Sequence, residues 1–318
     1  MSTPVTTAPR DLLRIADLGA GELEHLLELS ASMKANRELW RERHRGELLA
    51  CYFAKPSTRT RISLEGAAWR LGMLPIMLRP DELQLGRGEP IADTAQVLSG
   101  YVDAIAIRTF AQSEVEELAA AASVPVINAL TDDHHPCQAL ADLLTLRERY
   151  GALAGAKLAY VGDGNNVAHS LMEAGALAGM HVALATPPGY EPSEEVRLRA
   201  EALAEATGGL IELVVDPREA VREAQAVYTD VWVSMGDEAE AERRLADLSG
   251  YQVTVGLMAE AAPEAVFMHC LPAHRGQEVS AEVIDGARSV VFPQAANRLP
   301  TEQAVVHALI SGDWDAAL

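Results

Sequence analysis

The stretch Leu48-Leu49-Ala50-Cys51-Tyr52-Phe53-Ala54-Lys55-Pro56-Ser57-Thr58-Arg59-Thr60-Arg61 decides the fold. It opens as a short apolar run, which reads as a buried strand, and passes through a polar turn into the amphipathic segment Thr58–Leu71. Ser57 is a good N-cap for that helix. Working outward, the same strand-then-helix alternation recurs. Strands are predicted near Leu48–Phe53, Leu74–Leu78, Ala104–Ile107 and Pro125–Ile127, with helices over Gly21–His44, Thr58–Leu71, Ile91–Tyr101 and Ser113–Ala122. After a longer helix over Pro136–Tyr150, Gly151–Gly155 resets the pattern. Strands follow near Lys157–Val161, His181–Ala185, Leu210–Val214, Ala226–Thr229, Val266–His269 and Ser289–Phe292, and a closing helix spans Ala295–Ile310. Such alternation is the mark of parallel sheets covered by helices. The expected class is therefore α/β, with two doubly wound parallel-sheet domains joined by a bridging helix and a C-terminal helix. The expected boundaries are residues 1–135 for the first domain, 136–150 for the bridge and 151–299 for the second domain, with the helix at about 300–318 returning to the first.

Bulk properties narrow the function. A chain of 318 residues accommodates about two domains, and its 49% hydrophobic content fills two cores. Aromatic residues make up only 5%, so those cores must be mostly Ala, Leu and Val. A net charge of −20 excludes a nucleic-acid binder, which needs a clustered basic surface. It leaves room for a small anion held by a few local arginines. Cys51, Cys137 and Cys270 lack paired spacing, so a reducing compartment without disulfides is expected. Met1–Arg10 has neither an apolar h-region nor an Arg-rich presequence. The charge-free stretch Ala174–Tyr190 is broken by His181, Pro187 and Pro188 and reads as helix, turn, strand and loop rather than a membrane span. A cytoplasmic protein is expected.

In open parallel sheets ligands sit beyond the carboxyl ends of the strands, and the distinctive residues of this chain fall there. Ser57, Thr58, Arg59 and Thr60 put hydroxyls, an arginine and free backbone N–H groups at the positive end of a helix, a site suited to phosphate. As plain structure the segment is only a capped helix with exposed arginines. Gln84-Leu85-Gly86-Arg87-Gly88-Glu89-Pro90 alone is a surface turn. Arg108 ends an apolar strand. His135 and Gln138 share one face at the start of the bridging helix, where Pro136 fits the first turn. Gly162-Asp163-Gly164 is half of a dinucleotide fingerprint, but the third glycine position holds Val167 and no acid ends the next strand at Ala185-Thr186. Asp230-Val231-Trp232-Val233-Ser234-Met235-Gly236 and His269-Cys270-Leu271-Pro272 follow later strands. Trp232 reads as core, and a lone cysteine is ordinarily buried and inert.

Taken together, Phe53–Arg61, the Gln84 loop, Arg108, His135-Pro136-Cys137-Gln138, Gly162–Asn166, the Ser234-Met235-Gly236 loop and His269-Cys270-Leu271-Pro272 resemble the aspartate/ornithine carbamoyltransferase family, on its ornithine-using side. The resemblance implies direct transfer of a carbamoyl group from carbamoyl phosphate to the δ-amine of L-ornithine, within arginine metabolism. It implies that Ser57, Thr58, Arg59 and Thr60 hold the phosphate, helped by Gln84 from a neighbouring subunit of a homotrimer. Arg108 would contact phosphate and carbamoyl oxygen. His135, Gln138, Cys270, Leu271 and Arg298 would contact the carbamoyl group, while Asn166, Asp230, Ser234 and Met235 would hold ornithine. Arg108, His135, Asp230 and Cys270 are the implied catalytic residues. No cofactor and no metal are expected, because the arginines supply the positive charge. The Ser63–Met73 helix and the Met77–Leu83 run are only loosely family-like.

Overall fold

The computed structural model describes residues 10–81, 83, 88–236 and 238–314. By packing, these fall into two units. The first comprises the described residues within 10–18, 25–137 and 299–314, and the second those within 19–24 and 138–298. The chain passes from first to second within the Pro136–Tyr150 helix and back within the Val291–Ser311 helix.

The first unit holds a parallel sheet of β1 (Leu48–Phe53), β2 (Leu74–Leu78), β3 (Ala104–Arg108) and β4 (Val126–Leu130), in the order β2-β1-β3-β4. β3 and β4 are buried along their whole length, as befits strands covered on both faces. Ala50, Ile105, Ile107, Val115, Leu118 and Val126 form a core between the sheet and its helices. In the second unit β5 (Lys157–Val161), β6 (His181–Ala185), β7 (Leu210–Val214), β8 (Ala226–Tyr228) and β9 (Val266–Met268) run parallel in the order β7-β6-β5-β8-β9. Its core is built from small and branched residues such as Ala159, Val161, Ala183, Val227 and Val253 around Phe267. In both sheets the order reverses at the first strand, leaving a crevice at the carboxyl ends between β1 and β3, and again between β5 and β8.

Three segments depart from the sequence reading. The predicted Gly21–His44 helix runs as Ala20–Ala35 and Arg37–Trp40, interrupted at Asn36, a residue type of low helix propensity that favours helix ends. The predicted strand Ser289–Phe292 is absent. Only Ser289 pairs, as one parallel bridge to Phe267, and the closing helix already begins at Val291, earlier than Ala295. Val290-Val291-Phe292 is an apolar run whose period is too short to separate strand from helix. Phe292 is 69% exposed, whereas a covered strand would bury it. Among the described residues no helix is long and apolar enough to cross a membrane.

The first unit carries a histidine cluster away from the strand ends. His307, on the closing helix, places Nδ1 2.8 Å from His44 Nε2, with Trp40 edge-on at 5.1 Å between ring centroids. His44 Nδ1 lies 2.5 Å from Glu47 Oε2, and Asp313 Oδ2 is 3.7 Å from His307 Nε2. Burial and the neighbouring His44 push the His307 pKa down to about 4, with Arg43 adding to the fall and Asp313 opposing it. The fold therefore favours neutral His307. An unfolded chain takes up that proton near its ordinary value of 6.5, so stability is present above that pH and is lost as pH falls toward 4. Between pH 6.5 and 5 the loss should be about 2 kcal/mol. His307→Gln should flatten the slope of denaturant midpoint against pH over that window, and an unchanged slope would contradict the assignment.

Candidate active site

At the reversal of the first sheet, β1 runs into the Lys55–Thr58 turn and the Arg59–Leu71 helix. Thr58 already has helical dihedrals (φ −80°, ψ −50°). The Ser57 hydroxyl therefore acts as the cap and accepts a bond from the Thr60 N–H at 3.1 Å. Arg108 ends the adjacent strand, is buried, and donates from Nη1 to Thr60 Oγ1 at 3.4 Å. Its carbonyl accepts from Ala54 N–H at 2.8 Å, tying the two loops together. The Arg108 guanidinium and the Ser57 and Thr60 hydroxyls thus gather at the positive end of a thirteen-residue helix whose first turn also carries Thr58 and Arg59, a place suited to an oxyanion.

Lys55 went unassigned in the sequence reading. It is almost fully buried, forms an ion pair with Asp132 beyond β4, and lies 4.4 Å above the ring of Phe110 beyond β3. It ties together the three loops that follow β1, β3 and β4. Its place inside Phe53–Arg61 was the available signal. The loop after β4 is pinned from both sides: the Thr131 hydroxyl donates to Gln112 Oε1 at 2.7 Å, and accepts from His134 N–H at 3.0 Å. That geometry sets His135, which is buried. Gln84 lies outside the described residues.

In the second unit Gln138 lies in the first turn of the Pro136–Tyr150 helix and is buried. Its Nε2 donates to Asp142 Oδ1 at 2.7 Å and its Oε1 accepts from Arg298 Nη1 at 2.9 Å. At the reversal of this sheet, Asn165 caps the Asn166–Leu177 helix by accepting from Val167 and Ala168 N–H groups. Its Nδ2 donates to Asp230 Oδ2 at 2.8 Å. The other Asp230 oxygen accepts from the Cys270 thiol at 2.8 Å. Asp230 is buried and Cys270 half-buried, so a carboxylate and a thiol face the same crevice with one anchored by Asn165. Sequence reasoning chose Asn166 and missed Asn165; its capping position before a helix was the signal. Trp232 is core, packed with Tyr190 and Leu248. Arg244 holds the next loop through the Trp232 carbonyl at 2.6 Å and an ion pair with Asp163. Ser234 is half-buried, and Met235 is exposed.

His269 is structural. Leu271 N–H donates to its Nδ1 at 2.8 Å, so the proton sits on Nε2, which faces the buried Glu278 at 3.3 Å. These bonds hold Leu271 at φ 60°, a conformation uncommon for a branched residue, before the cis bond to Pro272. Among the described residues, Asp230, His269 and Cys270 are the one group whose ligand-type atoms all lie within 4.8 Å of one another. Both His269 nitrogens already have protein partners, which leaves a carboxylate–thiol pair, a set suited to receiving an amine.

The glycine pair has its own explanation. A Cβ at Gly164 would lie 2.3 Å from Pro192 N and 2.7 Å from the Tyr190 carbonyl oxygen. The space a pyrophosphate would need against this glycine is filled by the protein's own main chain, which counts against dinucleotide binding.

Each unit thus carries polar groups at its strand-order reversal, an arginine with hydroxyls at a helix start in the first and a carboxylate–thiol pair in the second, features that suit an α/β group transferase. Residues 10–148 match the carbamoyl-P binding domain, and residues 154–309 the Asp/Orn binding domain, of aspartate/ornithine carbamoyltransferase. The chain belongs to the aspartate/ornithine carbamoyltransferase family and is a carbamoyltransferase. It is 55% identical over 308 residues to the ornithine carbamoyltransferase of Symbiobacterium thermophilum, spanning 96% of this chain and 99% of that one. Among solved structures it resembles the ornithine carbamoyltransferase from Pyrococcus furiosus, with 51% identity, a TM-score of 0.92, and 96% and 98% of the two chains covered. The anabolic ornithine carbamoyltransferase from Campylobacter jejuni gives 35% identity and a TM-score of 0.91, covering 95% and 99%.

Proposed function

We propose that this carbamoyltransferase moves the carbamoyl group of carbamoyl phosphate to the δ-amine of L-ornithine, giving L-citrulline and phosphate, in arginine metabolism. The observation that carries the choice of acceptor is the 2.8 Å contact between the Cys270 thiol and Asp230, beside the Ser234-Met235-Gly236 loop. In this reading residues 1–135, with the C-terminal helix at about 300–318, bind carbamoyl phosphate, residues 136–150 bridge, and residues 151–299 bind ornithine.

Ser57, Thr58, Arg59 and Thr60 hold the phosphate, with Gln84 supplied by a neighbouring copy. Arg108 reaches both phosphate and carbamoyl oxygen. His135, Gln138, Cys270, Leu271 and Arg298 engage the carbamoyl group, and Asn166, Asp230, Ser234 and Met235 the amino acid. The nucleophile must be a neutral amine. For a side-chain amine with a reference pKa near 10.4, removing the proton at pH 7 costs about 4.6 kcal/mol. Asp230 and Cys270 orient the amine and help take its proton. Arg59, Arg108 and His135 stabilise the oxyanion and the departing phosphate, which is free to accept the proton as the intermediate collapses. No carbamoyl-cysteine is formed: the thiol's partner is the carboxylate that receives the amine, and direct attack needs no covalent step.

A homotrimer is the proposed assembly. Ile62 and Trp69, two turns apart on the Arg59–Leu71 helix, are 61% and 73% exposed, which leaves apolar surface for a second copy to cover. Sedimentation at the mass of a single chain would remove this proposal. The substrate reading is tested by assaying carbamoyl transfer to ornithine, putrescine, an Nα-acylated ornithine and aspartate. Citrulline formation should dominate, and faster transfer to any of the others would overturn the choice of acceptor.

A further inference from the structure

Asp142 lies one helical turn beyond Gln138 on the Pro136–Tyr150 helix and is fully buried. Its Oδ1 accepts from Gln138 Nε2 and from Gln294 Nε2, each at 2.7 Å, and Gln294 Nε2 also lies 3.1 Å from the Tyr228 hydroxyl. With its nitrogen held there, Gln138 turns Oε1 to the Arg298 guanidinium at 2.9 Å. A glutamine amide has two ends of nearly equal shape, and its orientation is set only by what each end meets. Flipped, this one would press an NH₂ against a guanidinium and an oxygen against a carboxylate, two buried mismatches at once.

We infer that Asp142 is a positioning residue, locking the Gln138 amide so that its oxygen, and not its nitrogen, meets the carbamoyl NH₂. This rests on the reading of Gln138 as a carbamoyl contact. The oxygen has two lone pairs, so it can accept from Arg298 and from the substrate together. Burial pushes the Asp142 carboxyl up to about 7, while bonds from Gln138, Gln294 and Tyr228 and the charge of Arg298 pull it down. A carboxyl protonated on its other oxygen still accepts at Oδ1. The lock therefore depends on the acceptor atom rather than on the charge.

The test is the KM for carbamoyl phosphate in Asp142→Ala, Asp142→Asn, Gln138→Ala and the Asp142→Ala/Gln138→Ala double variant. Asp142→Ala should raise KM about tenfold with a smaller change in kcat, the effect of one misplaced buried hydrogen bond. Asp142→Asn, whose amide oxygen can accept both bonds, should stay within about threefold of the parent. In the double variant KM should match Gln138→Ala alone, because the lock has nothing left to hold. Should Asp142→Ala fail to fold, Asp142→Ser keeps a hydroxyl in the buried position but falls short of Gln138, and the same rise is expected. Fully additive effects, or an unchanged KM in the folded Ala or Ser variant, would overturn the lock while leaving the carbamoyl reading of Gln138 standing. An unchanged KM in Gln138→Ala would instead remove that reading, and the lock with it.

Discussion

Arg59→Ala is expected to weaken carbamoyl phosphate binding by about two to three orders of magnitude, while leaving the fold in place. Capping by Ser57 and the backbone N–H groups of the first turn survive the substitution, since neither involves the arginine side chain. Arg108 also survives, held through Thr60 and through its carbonyl bond to Ala54. What disappears is the Arg59 guanidinium, to which the proposed reading gives a charge-assisted contact with the donor's phosphate. Arg59 is only partly buried, so thermal stability should move by about 0.5 kcal/mol or less. Isothermal titration with carbamoyl phosphate, alongside a melting curve, separates the two effects. A variant binding the donor with near-parental affinity would refute the assignment of the cradle.

The second large effect is expected for Asp230→Asn, which should lower kcat by about three orders of magnitude, within the range for loss of a positioned proton acceptor. The amide is isosteric and can still accept from Asn165 through its oxygen, so the loop should keep its shape. Its NH₂, however, would face the Cys270 thiol and the incoming amine, and an ammonium group would find no carboxylate to take its charge. Carbamoyl phosphate affinity should remain within about threefold, because no residue of the phosphate cradle depends on Asp230. Equal losses in kcat and in donor affinity would mean that Asp230 supports the whole enzyme rather than the acceptor.

Much of this arrangement was legible in local sequence. The Leu48–Phe53 run, the Pro136–Tyr150 helix and the five strands from Lys157–Val161 to Val266–Met268 emerge where expected because their periodicity and turn residues are local properties. Ser57 and Thr60 meet Arg108 because the turn and helix that follow β1 lie beside the end of β3 at a reversal of strand order, a consequence of topology that sequence position alone already suggests. The failures share a cause. Lys55 is defined by partners beyond β3 and β4, Asn165 by a carboxylate 65 positions away, and Asp142 by Gln294 from the far end of the chain. None of those pairings leaves a trace in spacing. Val290-Val291-Phe292 failed differently, since three apolar residues fit either element and only a helix frees Phe292 to face solvent.

The contact between Gly164 and the chain at Tyr190–Pro192 bears on what this scaffold could become. A crevice of this kind is widely reused for nucleotides, yet here the protein has plugged its own groove with a turn of backbone that no side-chain exchange can withdraw. Redesign of the second unit for a nucleotide would have to begin by rerouting residues 187–192. On the proposed reading, a change of amino-acid acceptor would instead fall on the loops after β5, β8 and β9.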